Sequence, residues 1–263
     1  MNLRVMKALV FKHIIICSRN TFRAMDLWFW PMIDLLVWGF VTVYMLKVSK
    51  TVPALITFFI AAAILWNVLY RAQQVVSVSF LDDVWSRNIL NIFAAPIRTI
   101  EYIGATYITG LAQALIVLLL MSAVAMFIYS FNLFAFGWNC ALLFVNLLIM
   151  GWSLGLLTTG FVLRWGPPAE GLAWAIPFAI QPVSAVFYPV SILPPWLQHV
   201  AWFVPSSHVF EGMRQMIIHG HVDAQHILWA FALNGIYMII CALIFHALFE
   251  GARERGLLAK YVS

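Results

Sequence analysis

Charge is what this sequence has least of. Only 10% of its 263 residues are Asp, Glu, Lys or Arg, against about a quarter in soluble domains, and that shortage excludes an ordinary water-facing surface. Cysteine is scarce too. Cys17, Cys140 and Cys241 are odd in number and sit in apolar surroundings without CxxC spacing, so neither a disulfide framework nor a structural metal is expected. No G-x-x-x-x-G-K-[ST] loop occurs, and Lys260 is the only lysine after Lys50. ATP hydrolysis by that route is excluded within this chain. No charged leader, short apolar stretch and small-residue cleavage site come before the first long apolar segment, so no signal peptide is expected.

What is abundant is apolar surface: 64% of the residues are hydrophobic and 16% are aromatic. A helix rises about 1.5 Å per residue, so about 20 apolar residues cross a hydrocarbon layer about 30 Å thick. Six stretches qualify, near residues 27–46, 54–75, 102–129, 138–163, 172–190 and 227–249. They are apolar on all sides, as in LIVLLLMSAVAMFIY, whereas barrel strands alternate apolar and polar positions. The fold class is therefore an all-α membrane protein with six transmembrane helices.

The basic residues set an orientation. With the N-terminus cytoplasmic, six spans return the C-terminus to the same side. The inner segments then hold Arg4, Lys7, Lys12, Arg19, Arg23, Arg71, Arg87, Arg98, Arg164, Arg253, Arg255 and Lys260, twelve of the fifteen. Only Lys47, Lys50 and Arg214 fall outside. Snorkelling at both faces would give a more even split. The net charge of +5 thus reads as membrane orientation, and no nucleic-acid partner is expected.

Residues 1–24 are too charged to span. Leu3, Met6, Val10, Ile14 and Phe22 alternate there with Lys7, Lys12, Arg19 and Arg23, which suits an amphipathic helix in the cytoplasmic interface or a plain positive anchor. Residues 25–263 form one six-helix domain. Its first span opens at Asp26 and the WFWP cluster, with Trp28 and Trp30 at headgroup level and Pro31 near the helix start. Asp34 lies inside that span as a pathway candidate, but no other acid sits at its depth to form a relay, which favours a carboxyl packed on a neighbouring helix or at a subunit contact.

Two connections carry polar chemistry. In the inner one a coupling helix is expected over 82–95. Trp85, Ile89, Ile92 and Phe93 form its apolar stripe, Asp82 and Asp83 cap its start, Asp83 pairs with Arg87 at i,i+4, and Asn88 and Asn91 share that polar side. Pro96 ends it. In the outer one, Pro194, Pro195 and Pro205 break the chain into two helices of two to three turns, with Trp196, Val200 and Phe203 on one face. Such helices enter and leave one leaflet, which makes 191–218 a re-entrant segment. Glu211 and Arg214 stand at i,i+3 within it, as a buried pair or an ordinary interfacial one.

These two regions resemble the membrane subunit of an ABC-2 type exporter of the ATP-binding-cassette class. In NILNIFAAPIRTIEYIGA the matching positions are Ala94, Ala95, Pro96, Glu101 and Gly104. In FYPVSILPPWLQHVAWFVPSSHVFEGMRQMI they are Phe187, Pro189, Leu193, Pro194, Trp196, Leu197, Pro205 and Arg214, while Val204 replaces the Asn usual before that last Pro. The resemblance implies a permease; the compact design suits a bacterial inner membrane, and the aromatic content suits an amphipathic or lipid-linked substrate. The resemblance implies a separate ATPase subunit that holds ATP and Mg, a homodimer or close heterodimer of the permease, and contact with membrane lipid. It assigns ATPase coupling to Asp83, Arg87, Asn88, Asn91, Ala95, Pro96 and Arg98. Gating falls to Asp34, Glu101, Pro194, Trp196, Pro205, Glu211 and Arg214.

A rival reading is a membrane-embedded metal-dependent enzyme built on His219, His221 and His226, with Asp223 among them, although their spacing fits no zinc motif. His13, His199, His208 and His246 stand alone and read as packing or headgroup contacts. An ion channel would need a polar ring along one span, and none is present. Gly151 and Gly155 form a GxxxG that permits close helix approach and is a candidate dimer contact, though such spacing is frequent by chance.

Overall fold

The structure is a computed structural model that describes residues 2–49, 54–86, 88, 91–92, 95 and 97–255. Helix α1 (Leu3–Arg19) runs into α2 (Thr21–Ser49) through Asn20, whose extended backbone ends the first helix and whose side-chain oxygen accepts the Arg23 N–H at 3.3 Å. Then follow α3 (Ala54–Trp85), α4 (Thr99–Tyr129), α5 (Trp138–Trp165), α6 (Leu172–Ile180), α7 (Pro195–Trp202), α8 (Pro205–His219) and α9 (Ala224–Glu254). No strand occurs among the described residues.

Among the described residues five helices, α2, α3, α4, α5 and α9, are long and apolar enough to cross a membrane. The expected span at 172–190 is not a continuous helix. Its helical part, α6, has 9 residues, which at about 1.5 Å each falls far short of a bilayer. Pro177 inside α6 and Pro182 just after it have no N–H to donate, and Ala185 turns to a φ of +52°. The sequence is apolar enough for a span, but its prolines interrupt the backbone ladder. Pro31 also departs from expectation: α2 starts at Thr21, so Pro31 lies inside the helix.

Helix α3 is the central column, packed by α2, α4 and α5, with 89% of its most apolar stretch buried, against 22% for each of α2 and α9. A second feature keeps neighbours close to it. A Cβ added at Gly151 would lie 2.6 Å from the Ala72 Cβ and 2.6 Å from the Leu69 carbonyl oxygen, and one at Gly155 would lie 2.6 Å from the Val76 Cβ. The GxxxG motif therefore seats α5 on α3 inside one chain; it is not a dimer contact. The stack of Tyr107 on Trp152, centroids 4.7 Å apart, joins α4 to α5.

The polar residues of α3 are bonded to other helices. Asn67 donates to the Asp34 carboxylate on α2 at 2.7 Å. Gln73 and Gln74 both donate to the Ala173 carbonyl on α6, at 3.1 and 2.6 Å. Arg71, taken from the sequence as an inner-loop cation, is buried in mid-helix and holds Asp26 of α2 at 3.1 Å. Beyond position 75 it is Ser77, Ser79, Asp82 and Asp83 that lower the hydropathy, which is why a span ending there is expected from the sequence while the helix continues to Trp85.

Candidate functional site

The connection between α3 and α4 is framed by a clasp of charged groups. Asp82 and Asp83 do not cap a new helix, as the sequence suggested; they sit in the last turn of α3. Carboxylates are disfavoured at that end of a helix dipole, and cations from the N-terminal helices offset this. Lys12 of α1 pairs with Asp83, and Arg23 of α2 pairs with Asp82. Asp83 also accepts the Tyr102 hydroxyl of α4 at 2.8 Å. On the far side of the connection, Glu101 closes a capping box at the start of α4. One of its oxygens accepts the Arg98 N–H at 3.1 Å, and the other accepts the Asn2 N–H at the start of α1 at 2.6 Å.

Helix α1 thus lies across the ends of α3 and α4 and is tied to both. Its packed face is Met6, Leu9 and His13, at i, i+3 and i+7, while Leu3, Phe11 and Ile14 point outward. His13 is buried, meets the Tyr102 ring edge-on at 6.4 Å, and has neither ring nitrogen hydrogen-bonded among the described residues. Burial above all, then the Lys12 cation, lowers its pKa to about 4. His13 is therefore neutral at pH 7.

Of the expected coupling residues, Arg87 and Pro96 lie outside the described residues, as do Ile89, Phe93 and Ala94. Ile92 is buried with Leu9, Phe80 and Val84, as an apolar stripe requires. Trp85 is not on that stripe. It is 47% exposed at the end of α3, with its indole N–H on Glu170 at 3.1 Å. Asn91 donates to Asn88 at 3.2 Å, and Asn91 and Arg98 are exposed while Ala95 is half-buried. The Ala95 N–H bonds the Asn91 carbonyl at 3.4 Å.

At the other end of the bundle, the segment after α6 is organised by one ion pair. Arg214 meets Glu211 through Nε at 3.1 Å and Nη2 at 3.2 Å, and its Nη2 also donates to the Ala185 carbonyl at 2.7 Å. Glu211 in turn accepts the Val190 N–H at 2.7 Å. Arg214 is 8% exposed, and its guanidinium lies 5.0 Å over the Phe58 ring. Arg214 is thus buried and Glu211 half-buried, in a pair that also holds two backbone groups of another segment, unlike an ordinary interfacial one.

Pro195 and Pro205 each stand in the first turn of their helix, as expected, and Pro194 holds the N-cap position of α7. Helix α8 is longer than the sequence suggested, with 15 residues. Trp196, Val200 and Phe203 do share a face, and it points out of the bundle. Val204, without a side-chain oxygen, leaves the start of α8 uncapped by a side chain. Asp34 is placed against Asn67, away from both connections.

The histidines of the rival reading do not converge. His219 and His221 are exposed, whereas His226 meets His208 at 3.4 Å. Among the described residues no group of three or more His, Cys, Asp or Glu side chains is placed to hold a metal ion. Sequence reasoning missed Lys12, Arg23, Asn67 and Tyr102 as partners of the acids. The signal was available: adjacent aspartates in so charge-poor a chain require cations, and the nearest unpaired supply is the N-terminal segment.

The sequence profile described as ABC-2 type transporter matches residues 7–218, more than half of the chain. The chain is 24% identical over 203 residues, 76% of each chain, to the "Inner membrane transport permease YadH" of Escherichia coli K12, with the same figures for the protein of that name in Shigella flexneri. It is 28% identical over 153 residues to the "ABC transporter G family member 20" of Dictyostelium discoideum, covering 57% of this chain and 20% of that one.

Proposed function

The chain belongs to the ABC-2 type transporter family, and on that premise we propose that it is the membrane-spanning half of an ATP-driven exporter of the bacterial inner membrane. Its transport role follows from the family, as does its character as an integral membrane protein with long apolar helices. The name of the Escherichia coli relative supports the inner membrane as its location. A separate ATPase chain binds ATP and Mg and supplies the energy. Two copies of the permease enclose the pathway. Both termini are cytoplasmic, with residues 172–192 making the sixth crossing in pieces.

The observation that carries this reading is the clasp. Lys12 with Asp83, Arg23 with Asp82, and Glu101 with the Asn2 N–H fasten α1, α2, α3 and α4 around one short connection, at which Trp85, Asn91 and Arg98 are exposed. An ATPase seated on that connection pushes helices that are rigidly joined, so a local displacement becomes a tilt of the bundle. Asp83 holds the clasp, and Asn88, Asn91, Ala95 and Arg98 form the seat; Arg87 and Pro96 share that coupling role by their positions in the sequence. The cargo is amphipathic or lipid-linked, in keeping with the apolar segment at the opposite end.

Affinity purification of the tagged chain from its native membrane tests the proposal. Recovery of an ATP-binding-cassette ATPase with the wild-type chain, and its loss with Trp85→Ala and Asn91→Arg combined, is expected. Recovery of no such ATPase with either chain overturns it.

A further inference from the structure

A cleft of about 550 Å³ opens at the end of the bundle opposite α1, between the first turns of α3, the last turns of α8 and residues 187–192. Phe58, Phe59, Phe187, Ile192, Ile217 and Ile218 line most of it. That volume falls within the range of about 300–1,000 Å³ typical of small-ligand sites. Ile192 and Ile218 are 68% and 66% exposed, so the cleft opens onto the apolar outside of the bundle and is not a sealed packing defect. An apolar cleft of this kind is poorly wetted, and its walls lack dispersion partners until something apolar fills it.

One wall carries charge. The Glu211–Arg214 pair lines the cleft. Two nitrogens of Arg214 are engaged, Nε by Glu211 and Nη2 by Glu211 and Ala185, while Nη1 is buried with no acceptor among the described residues. A leftover guanidinium donor beside an apolar slot matches a molecule with a hydrocarbon tail and an oxygen-rich head.

We propose that this cleft binds one acyl chain of a membrane phospholipid, which enters sideways from the bilayer and sets its phosphate or ester oxygens against the Glu211–Arg214 pair. This rests on the reading of residues 191–218 as a re-entrant segment of the outer connection. The chain fills the slot between Phe59 and Ile218, and the head group stays at the level where α8 ends. The occupant is a lipid, not a second copy of the chain, because the polar wall offers a donor for a small acceptor group while the apolar walls offer a narrow slot. A bound lipid at that point props the interrupted α6 segment against α8.

The full chain reconstituted in nanodiscs of phosphatidylethanolamine and phosphatidylglycerol tests this directly. The probe is a phosphatidylethanolamine with a diazirine midway along one acyl chain, and photo-adducts are mapped by mass spectrometry. Adducts concentrated in 187–192 and 211–219 are expected. Ile192→Trp with Ile218→Trp, both at exposed positions, lowers them at least fivefold and leaves labelling of the outer faces of α2 and α9 unchanged; Ile192→Trp alone is read if the pair fails to fold. Cleft labelling no denser than on α2 and α9, or labelling indifferent to the tryptophans, overturns the proposal. So do chain-to-chain cross-links from cysteines placed at 192 and 218, which would mean that a second copy covers the cleft. The readout needs no ATPase. Absent labelling beside a recovered ATPase removes the lipid site alone, and strong labelling with no ATPase removes the exporter reading alone.

Discussion

Arg214 on α8 donates to the carbonyl of Ala185 at 2.7 Å, across 29 positions of chain. Ala185 has a φ of +52°, a left-handed conformation that costs an alanine energy unless its surroundings hold it. The guanidinium does so, and through Glu211 it also holds the Val190 N–H. The interrupted segment after α6 is thereby fixed to α8 at two points by a single ion pair.

Arg214→Gln is expected to lower the stability of the purified chain by roughly 1–3 kcal/mol. That is less than the roughly 3–5 kcal/mol for breaking a fully buried pair, because Glu211 keeps part of its exposure. Thermal unfolding in detergent reads it, and limited proteolysis should show new cleavage between residues 181 and 192. An unchanged melting curve with no new cleavage would mean that the segment is held by other contacts.

Asp83→Asn and Lys12→Met each remove one side of the α1 clasp. Both are expected to speed proteolytic release of the N-terminal helix, and the double variant should fall short of the sum by about 0.5–3 kcal/mol, as for residues in direct contact. Strict additivity would deny the pair a role in holding α1.

His13 makes the clasp acid-sensitive. Its folded pKa of about 4 lies below the ordinary 6.5, so between those values the unfolded chain binds more protons. The stability contributed by the neutral ring is present in full above pH 6.5 and drains away as the pH falls towards 4, by about 3 kcal/mol at most. His13→Gln should flatten that part of the pH–stability curve measured against the wild type. Parallel curves would place His13 in a more hydrated setting.

Gly151→Val should abolish folded protein rather than dissociate a dimer. Its Cβ alone would come within 2.6 Å of the Leu69 carbonyl oxygen, which is backbone and has little room to yield. Overpacking of this kind costs about 1–3 kcal/mol or more. A well-folded, monodisperse monomer on size-exclusion chromatography would instead make the motif an oligomer contact.

The sequence revealed most of the architecture because bilayer thickness imposes a length on apolar runs. Five of the six expected spans appear as continuous helices, at nearly the expected places. It misled where polarity and proline compete with hydropathy. Ser77, Ser79, Asp82 and Asp83 make α3 look shorter than it is, since the cations that meet the two aspartates are distant in sequence and hydropathy counts only local composition. Pro177 and Pro182 broke a segment that hydropathy treats as whole. The helix breaks around 194–205 are more legible than the segment around 82–95, because Pro194, Pro195 and Pro205 act on their own backbone, whereas the role of Asp82 and Asp83 depends on Lys12 and Arg23, some 60 to 70 residues earlier in the chain.

That sequence separation bears on how the chain enters a membrane. The charged and amide groups of α3 that bond to α1 and α2 meet residues made before it: Asn67 meets Asp34, Arg71 meets Asp26, Asp82 meets Arg23 and Asp83 meets Lys12. When α3 leaves the ribosome its counter-charges already exist. The least hydrophobic of the spans thus has no need to insert alone, and α2 and α3 can enter as a neutralised hairpin around which the later helices assemble.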